Sequence, residues 1–473
     1  MLKQLFFIKV LFLTIHVFSQ NISEVDLSDS NLEGVIYGDA IWLDTTNDSD
    51  FEFLITGASS NNAQYSVLSK NIQNGFTIDT DNIVRAFSNS ASDKADFNND
   101  GFVDFIITGN NNDTDKTILY INDGLGRFEE HILPMMATTF GKIKVVDLNN
   151  DSLVDVIITG LEGSVYGAKL YYQNTLGGFD ESSVILMANY FGDITLIDVN
   201  NDNYIDVLLT GFDTSYQPNS KLYINIEGLL LEAENQTIEP YYFTGTGVLD
   251  VDNDGDDDII ISGVNSSYVG ETAVFVNDGN GNFIKDENGM SIFSQVYFGD
   301  LDVVDFNNDG FDDVFSTGQD ENATYMSNLY INNTTGSFNH NVAISNVIEG
   351  VAISSSDWED FDDDGDKDLL LVGLGNDGNE KIKIYKNETV SLSVDTYLKK
   401  TISLYPNPVN DIINIRGVTI KGGEISITNA LGQTVISTGL IDVINVSHLE
   451  SGIYFITIES DSNKKETLKF IKK

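Results

Sequence analysis

The chain has no cysteine in its 473 residues, which excludes disulfides, cysteine–zinc sites and a cysteine nucleophile. Basic residues are also few: 25 Lys and Arg stand against 73 Asp and Glu, for a formal charge of −48. Nucleic acid is a poor partner for such a surface, since phosphate binding needs clustered cations. Only four histidines occur, His16, His131, His340 and His448. There is no G-x-S-x-G elbow, P-loop or H-E-x-x-H motif. These residues form no catalytic constellation, and an enzyme is not expected. After residue 19 no run approaches 18 apolar residues, so no membrane-spanning segment is expected in the mature chain. Residues 1–19 read as a signal peptide. Lys3 and Lys9 give the positive start, VLFLTIHVF the short apolar core, and cleavage after Ser19 leaves Gln20 at the N-terminus.

Acid is abundant, and it is periodic. The stretch DFNNDGFVDFIITG places Asp96, Asn98, Asp100 and Asp104 at positions 1, 3, 5 and 9, with Gly101 at position 6. Alternating oxygen ligands, a turn glycine and a closing carboxylate describe the front of an EF-hand-type calcium loop. An EF-hand continues as a helix. Here an apolar β-branched run ending in glycine follows, and it reads as a strand.

The pattern returns as Asp147, Asn149, Asp151 and Asp155; as Asp198, Asn200, Asp202 and Asp206; and as Asp250, Asp252, Asp254 and Asp258. It returns again as Asp305, Asn307, Asp309 and Asp313, and as Asp360, Asp362, Asp364 and Asp368. A weaker first copy has Asp44, Thr46, Asp48 and Glu52. Backbone carbonyls at position 7 complete the expected ligand sets: Phe102, Leu153, Tyr204, Asp256, Phe311 and Asp366. The expected cofactor is therefore Ca2+, at about six or seven sites. Glycine at position 6 meets a need for φ > 0, and Ser152 and Asn203 replace it in two copies.

The first aspartates recur every 51 to 55 residues, a period that means a propeller, solenoid or array. Between residues 141 and 185 one unit reads as four strands: 142–147, 156–159, 169–173 and 179 to about 186. Other units repeat the third strand as LeuTyrIleAsn at 119–122, 222–225 and 329–332. Most then turn through glycine into Phe128, Phe179, Phe283 or Phe338. The last unit stops at Asn387 without a fourth strand, and residues 22–30 are expected to supply it and close the ring.

Asp-x-(Asn/Asp)-x-Asp-Gly-x-x-Asp, a strand ending Thr-Gly, LeuTyr-x-Asn and Gly-x-Phe together resemble the FG-GAP/VCBS repeat family, whose repeats are similar to the propeller of integrin α subunits. The resemblance covers about residues 30–390. It implies a seven-bladed propeller with calcium in the loop joining the first two strands of each blade.

Residues 391–400 read as a linker, after a propeller domain at 20–390. In 401–473 seven basic and seven acidic residues balance, unlike the repeats. Alternating short strands there suggest a small Ig-like β-sandwich. YPNP, ALGQ, L-x-SGIY and the terminal KFIKK, in this order, resemble the type A C-terminal sorting domain of type IX secretion cargo in Bacteroidetes. That resemblance implies the type IX machinery as a partner through 401–473, and a place outside the cell or on its outer surface.

The sequence therefore describes an all-β protein, a seven-bladed β-propeller followed by a small Ig-like sandwich. It reads as an exported calcium-binding module for a glycan or protein ligand. Tyr65, Tyr166, Tyr216, Tyr268 and Tyr325 follow the second strand of five units and mark a candidate ligand face opposite the metal loops. The alternatives are a polysaccharide lyase or hydrolase on the same scaffold, and a purely structural surface component.

Overall fold

In the computed structural model the residues described are 21–388, apart from 60–62, 73–74, 113, 235, 287–291 and 334–335, and most of 403–473. The expected signal peptide and the linker lie outside them. The chain divides into two compact units, Met1–Ser391 and Leu392–Lys473.

The first unit consists of seven four-stranded antiparallel blades. The second blade is typical: Ser88–Ala95, Asp104–Asn111, Thr114–Asn122 and Phe128–Ile132 pair in that order. The third blade corrects one expectation. Its fourth strand is only Phe179–Glu181, because the chain then leaves the sheet for the next blade. The second strands, such as Phe105-Ile106-Ile107, are buried on both faces, which accounts for their uninterrupted apolar runs.

The seventh blade is built from both ends of the unit. Val351–Glu359, Asp368–Gly375 and Glu380–Asn387 come from its C-terminal side. Ile22–Glu24 adds the fourth strand, with Ile22 opposite Asn387 and Glu24 opposite Tyr385. Val25 N–H donates to the Ile384 carbonyl at 2.8 Å, and Glu388 N–H to that of Asn21 at 2.9 Å. The strand is three residues long, shorter than the 22–30 expected, but it covers the last open edge of the sheet.

Seven apolar clusters lie between neighbouring blades. The cluster joining the last blade to the first contains Trp42, Phe53, Phe76 and Phe361, with Trp42 stacked on Phe361 at 5.3 Å. The ring is therefore closed by packing as well as by strand pairing. The repeated third-strand tyrosine has a polar task within this packing. The hydroxyls of Tyr120, Tyr171, Tyr223, Tyr330 and Tyr385 accept backbone N–H groups from Arg85, Met136, Met187, Ser294 and Glu349, at 2.7–3.0 Å. Each bond pins the connection that enters its own blade. Leaving such a buried N–H without a partner costs about 1–3 kcal/mol.

The second unit holds two antiparallel sheets around a core that includes Ile413, Ile425, Ile427, Ile456 and Phe470. One contains Ser403–Tyr405, Ile412–Arg416 and Val443–Asn445. The other contains Gly423–Asn429, Thr434–Gly439, Gly452–Ser460 and Lys465–Lys472.

Deleting residues 20–25 should bare the edge of Glu380–Asn387. The expected result is self-association and a thermal midpoint lower by roughly 2–4 °C for each kcal/mol lost. Monomeric elution with an unchanged melt would contradict the closure.

Candidate metal loops and binding face

The loop between the first two strands has one backbone in all seven blades. Position 4 is left-handed throughout, with φ of 58° at Asn99 and 57° at Asn47 and Asp363. Position 6 is left-handed too, at 91° for Gly101 and 68° for Ser152 and Ser49. A Cβ on Gly101, Gly255, Gly310 or Gly365 would meet nothing within 4 Å, so glycine serves the dihedral and not the space. That is why Ser and Asn can replace it, at about 1 kcal/mol of backbone strain.

Within a loop the carboxylates first organise the turn. Asp96 accepts the N–H groups of Asp100 at 3.1 Å and Gly101 at 2.7 Å, and Asp100 accepts that of Phe102 at 3.0 Å. Asp104 at position 9 is fully buried. One of its oxygens accepts Asn122 N–H at 2.7 Å, and the other accepts Phe97 N–H at 2.9 Å. Asp155, Asp206, Asp258, Asp313 and Asp368 repeat this double contact. Burial, with the aspartates of positions 1 and 5 adding repulsion, pushes Asp104 and Asp155 up to about 6. In Asp313 burial and its neighbours push the carboxyl up to about 7, and in Asp368 to about 8.

Among the described residues, oxygens of three carboxylates converge in two of the loops. Those of Asp250, Asp252 and Asp254 lie within 4.8 Å of one another, as do those of Asp360, Asp362 and Asp368. Asp362 has a side chain only 3% exposed, and its Oδ1 is buried with no hydrogen-bond partner. A buried, unsatisfied carboxylate oxygen facing two further carboxylates fits a divalent cation. Lys386 contacts the other oxygen of Asp362 and stands 3.3 Å from Asp364, so an ammonium already offsets part of the charge there. The first loop departs from the rest. Glu52 accepts the Thr45 hydroxyl at 2.6 Å, and burial raises its pKa.

Asparagines at position 4 link five of the loops to the next one. The position-4 amide of Asn47 donates to the Gly101 carbonyl at 2.6 Å, and that of Asn99 to Ser152 at 3.1 Å. The Asn308 amide donates to Gly365 at 2.8 Å. The asparagine ending the third strand works across the same boundary: Asn122 donates to Thr45, Asn225 to Leu148 and Asn277 to Val199, at 2.8–2.9 Å.

On the opposite face, one residue per blade at or just before the first strand is left-handed: Tyr37, Asn89, Phe140, Phe191, Phe243, Phe298 and Ile353, at φ of 50–62°. Their backbones bond in series around the channel mouth. Phe191 donates to Phe140, Phe243 to Phe191 and Phe298 to Phe243, at 2.7–3.1 Å. In four blades the next residue is Gly38, Gly141, Gly192 or Gly299, and a Cβ on Gly141 or Gly192 would stand 1.7–1.8 Å from a threonine carbonyl; Ser90, Thr244 and Ser354 take the place in the other three. Aromatic rings continue outward from the mouth. Tyr216 lies 5.5 Å from Tyr166, Tyr166 4.8 Å from Tyr190, Phe212 4.0 Å from Tyr242, and Tyr242 6.5 Å from Tyr268.

Below the mouth the central channel has a cavity of about 440 Å³ lined by Asp39, Asp93, Asp193, Asp300, Asp302 and Asp357 and by Lys94, Lys142 and Lys144. Most of these acids stitch adjacent first strands together. Asp39 accepts Ser92 N–H at 2.6 Å, Asp93 accepts Val145 at 2.8 Å, Asp300 accepts Ser356 at 2.9 Å and Asp357 accepts Trp42 at 2.8 Å.

Comparison with known families agrees with this architecture. The FG-GAP-like repeat model matches residues 96–158 and 305–371, and the secretion system C-terminal sorting domain matches 403–473. The chain carries FG-GAP-like repeats and, at its C-terminus, a type IX secretion sorting domain. The tail directs it to the cell surface or the extracellular space, and no helix among the described residues is long and apolar enough to cross a membrane. Ulvan lyase NLR42 of Nonlabens ulvanivorans is 31% identical over 88 residues, which are 18% of this chain and 16% of the relative. The extracellular domain of BT4673 from B. thetaiotaomicron aligns over 97% of this chain and 59% of its own length, at 10% identity and a TM-score of 0.43. A mutant Aleuria aurantia lectin in complex with alpha-methyl-L-fucoside aligns over 66% of this chain and 96% of its own, at 8% identity and a TM-score of 0.39.

Among these repeats the five singled-out tyrosines separate. Tyr166, Tyr216 and Tyr268 join the aromatic face. Tyr65 packs beside the cluster of Trp42 and accepts Glu33 N–H at 3.2 Å, and Tyr325 is half-buried at the start of its strand. His131 and His340 stand on the fourth strands of the second and sixth blades. The position-4 asparagines and the left-handed mouth residues were missed. Asn at position 4 of six copies was the available signal, because Asn tolerates φ > 0.

Asp302 gives a pH prediction. Burial, then the adjacent Asp300, raises its pKa well above the ordinary 3.8. With the folded-state value raised, stability is fully present below the unfolded value and is lost as pH rises through the folded one. Asp302→Asn should therefore match the parent near pH 4 and melt higher than it above neutral pH. Melting curves across that range check this, and a variant less stable than the parent at high pH would contradict it.

Proposed function

We propose that the propeller is a calcium-stabilised binding module, displayed or released outside the cell, whose aromatic face holds a glycan or protein ligand. The carrying observation is that face. Tyr216 and Tyr268 are 60% and 66% exposed, yet both adopt the left-handed conformation, at φ of 57° and 62°. The turn sets this conformation, at a cost of about 1–2 kcal/mol for a bulky residue, and each ring meets a neighbouring tyrosine while most of its surface stays open; contact with a ligand is the reading this supports.

Calcium would be held by positions 1, 3, 5 and 9 and the position-7 carbonyl of the six intact loops, and more weakly by Asp44, Asp48 and Glu52. Bound there, the ion supplies positive charge to converging carboxylates. The residues themselves hold the turn, and the asparagines pass its rigidity from blade to blade. A polysaccharide lyase or hydrolase on this scaffold is the second reading, favoured by the likeness to an ulvan lyase over 88 residues.

The test is binding of the full chain to a broad glycan array and to cell surfaces, in calcium and in EDTA, with a melt in each buffer. Saturable binding and a lower midpoint in EDTA are expected. An unchanged melt in protein confirmed metal-free would contradict the calcium role. A folded chain that binds nothing in either buffer would contradict the binding module and make a polysaccharide-cleavage assay the next step.

A further inference from the structure

One part of the aromatic face is a cleft. Tyr242, Tyr268 and Tyr297 wall a space of about 800 Å³ between the fifth and sixth blades, with Asp320, Glu321 and Asn322 at its rim. The volume is within the range of about 300–1,000 Å³ of small-ligand sites. Among the described residues no Lys or Arg lines it.

Two departures from the repeat present rings to this cleft. The first is Tyr268. The turn after the second strand has the same form in blades four to seven: Tyr216, Tyr268, Ala323 and Gly378 each donate N–H to the carbonyl three residues back, at 2.9–3.0 Å. All four are left-handed, and the seventh blade uses glycine, at φ of 78°. The fourth and fifth blades place an exposed tyrosine there, where the sixth has alanine. The second departure is Gly270, where a Cβ would stand 2.8 Å from a ring carbon of Tyr297. Its missing side chain is what lets that ring lie in the cleft. Tyr242 is buried, with Phe212 packed on it at 4.0 Å, and lies at the base of the cleft; the exposed Tyr268 stands at 68° to it, so the two rings form a corner.

Such a corner suits the C–H face of a sugar ring, and the carboxylate and amide groups at the rim suit its hydroxyls. Asp320 is locked in place by N–H groups of Asn322 and Thr324 at 2.9 and 2.8 Å, and these bonds hold its carboxyl below the usual range. It therefore stays charged and, in a chain of formal charge −48, repels anions. We infer that this cleft is the principal ligand subsite and that it takes pyranose rings carrying no anionic group, neutral or amine-bearing. The assignment rests on the binding function proposed above and narrows it to one place and one class of glycan. An amine-bearing sugar adds attraction between its ammonium and the tyrosine faces.

The test is calorimetric titration of the full chain, in calcium, with neutral, amine-bearing and sulfated or uronate oligosaccharides, repeated on Tyr268→Ala and Tyr268→Gly. We expect the neutral or amine-bearing set to bind, and both variants to lose affinity by about tenfold or more. Tyr268→Gly should keep or raise the thermal midpoint, because glycine relieves the left-handed strain. Stability held while binding falls separates ligand contact from folding. Glycan binding that survives both variants would overturn the cleft assignment and leave the binding module standing. Preference for the sulfated or uronate set would overturn the charge argument. A folded chain that binds no glycan would overturn this inference and leave only a protein ligand for the proposed function.

Discussion

Repulsion between carboxylates held a few ångströms apart is the constraint on which the propeller depends. Two such charges 4.8 Å apart repel by about 3 kcal/mol at an effective dielectric of 20. Asp360, Asp362 and Asp368 are under that load, and the last is fully buried. Without a counter-charge such a loop opens or takes up protons. Lys386 offsets part of the load in the seventh loop, and a divalent ion would offset it in every intact one. The other features of the loop, its left-handed positions and its ring of accepted N–H groups, hold the carboxylates where that ion would bind.

The same logic of edges and unpaired groups runs through the ring. A first strand at the channel wall has amides with no strand beyond them. Asp39, Asp93, Asp300 and Asp357 accept those amides from the next blade. Above them the left-handed residues at the mouth turn their own amides toward one another. The outer edge of the last blade is covered by Ile22–Glu24. The result is an annulus with charge in its bore, acidic loops on one face and aromatic rings on the other. The rings can hold a fixed arrangement because the glycines beneath them let strands approach closely.

Much of this was legible in the sequence, for a physical reason. Period and ligand spacing are one-dimensional, so Asp96 to Asp104 and its copies gave away both the loop and the blade count. The missing fourth strand after Asn387 pointed to the N-terminal segment for the same reason. What escaped depends on neighbours distant in the chain. Asn47 bonds to Gly101 and Asn225 to Leu148, across blade boundaries that no local pattern displays. Phe140, Phe191, Phe243 and Phe298 read as ordinary strand aromatics, although their dihedrals set them apart. The tyrosines divided on burial alone. Tyr241, on a strand, is fully buried and donates its hydroxyl to Glu271, while Tyr268, in a left-handed turn, stands in solvent.

The most direct test of the account is a count of calcium bound to the folded chain, by equilibrium dialysis and elemental analysis. Substituting Asp362 and Asp368 together provides the control. The account predicts about six or seven ions per chain, and one fewer in the variant. A folded, monomeric chain that retains none after dialysis against calcium would contradict it, because the converging carboxylates would then be held by hydrogen bonds and protonation alone.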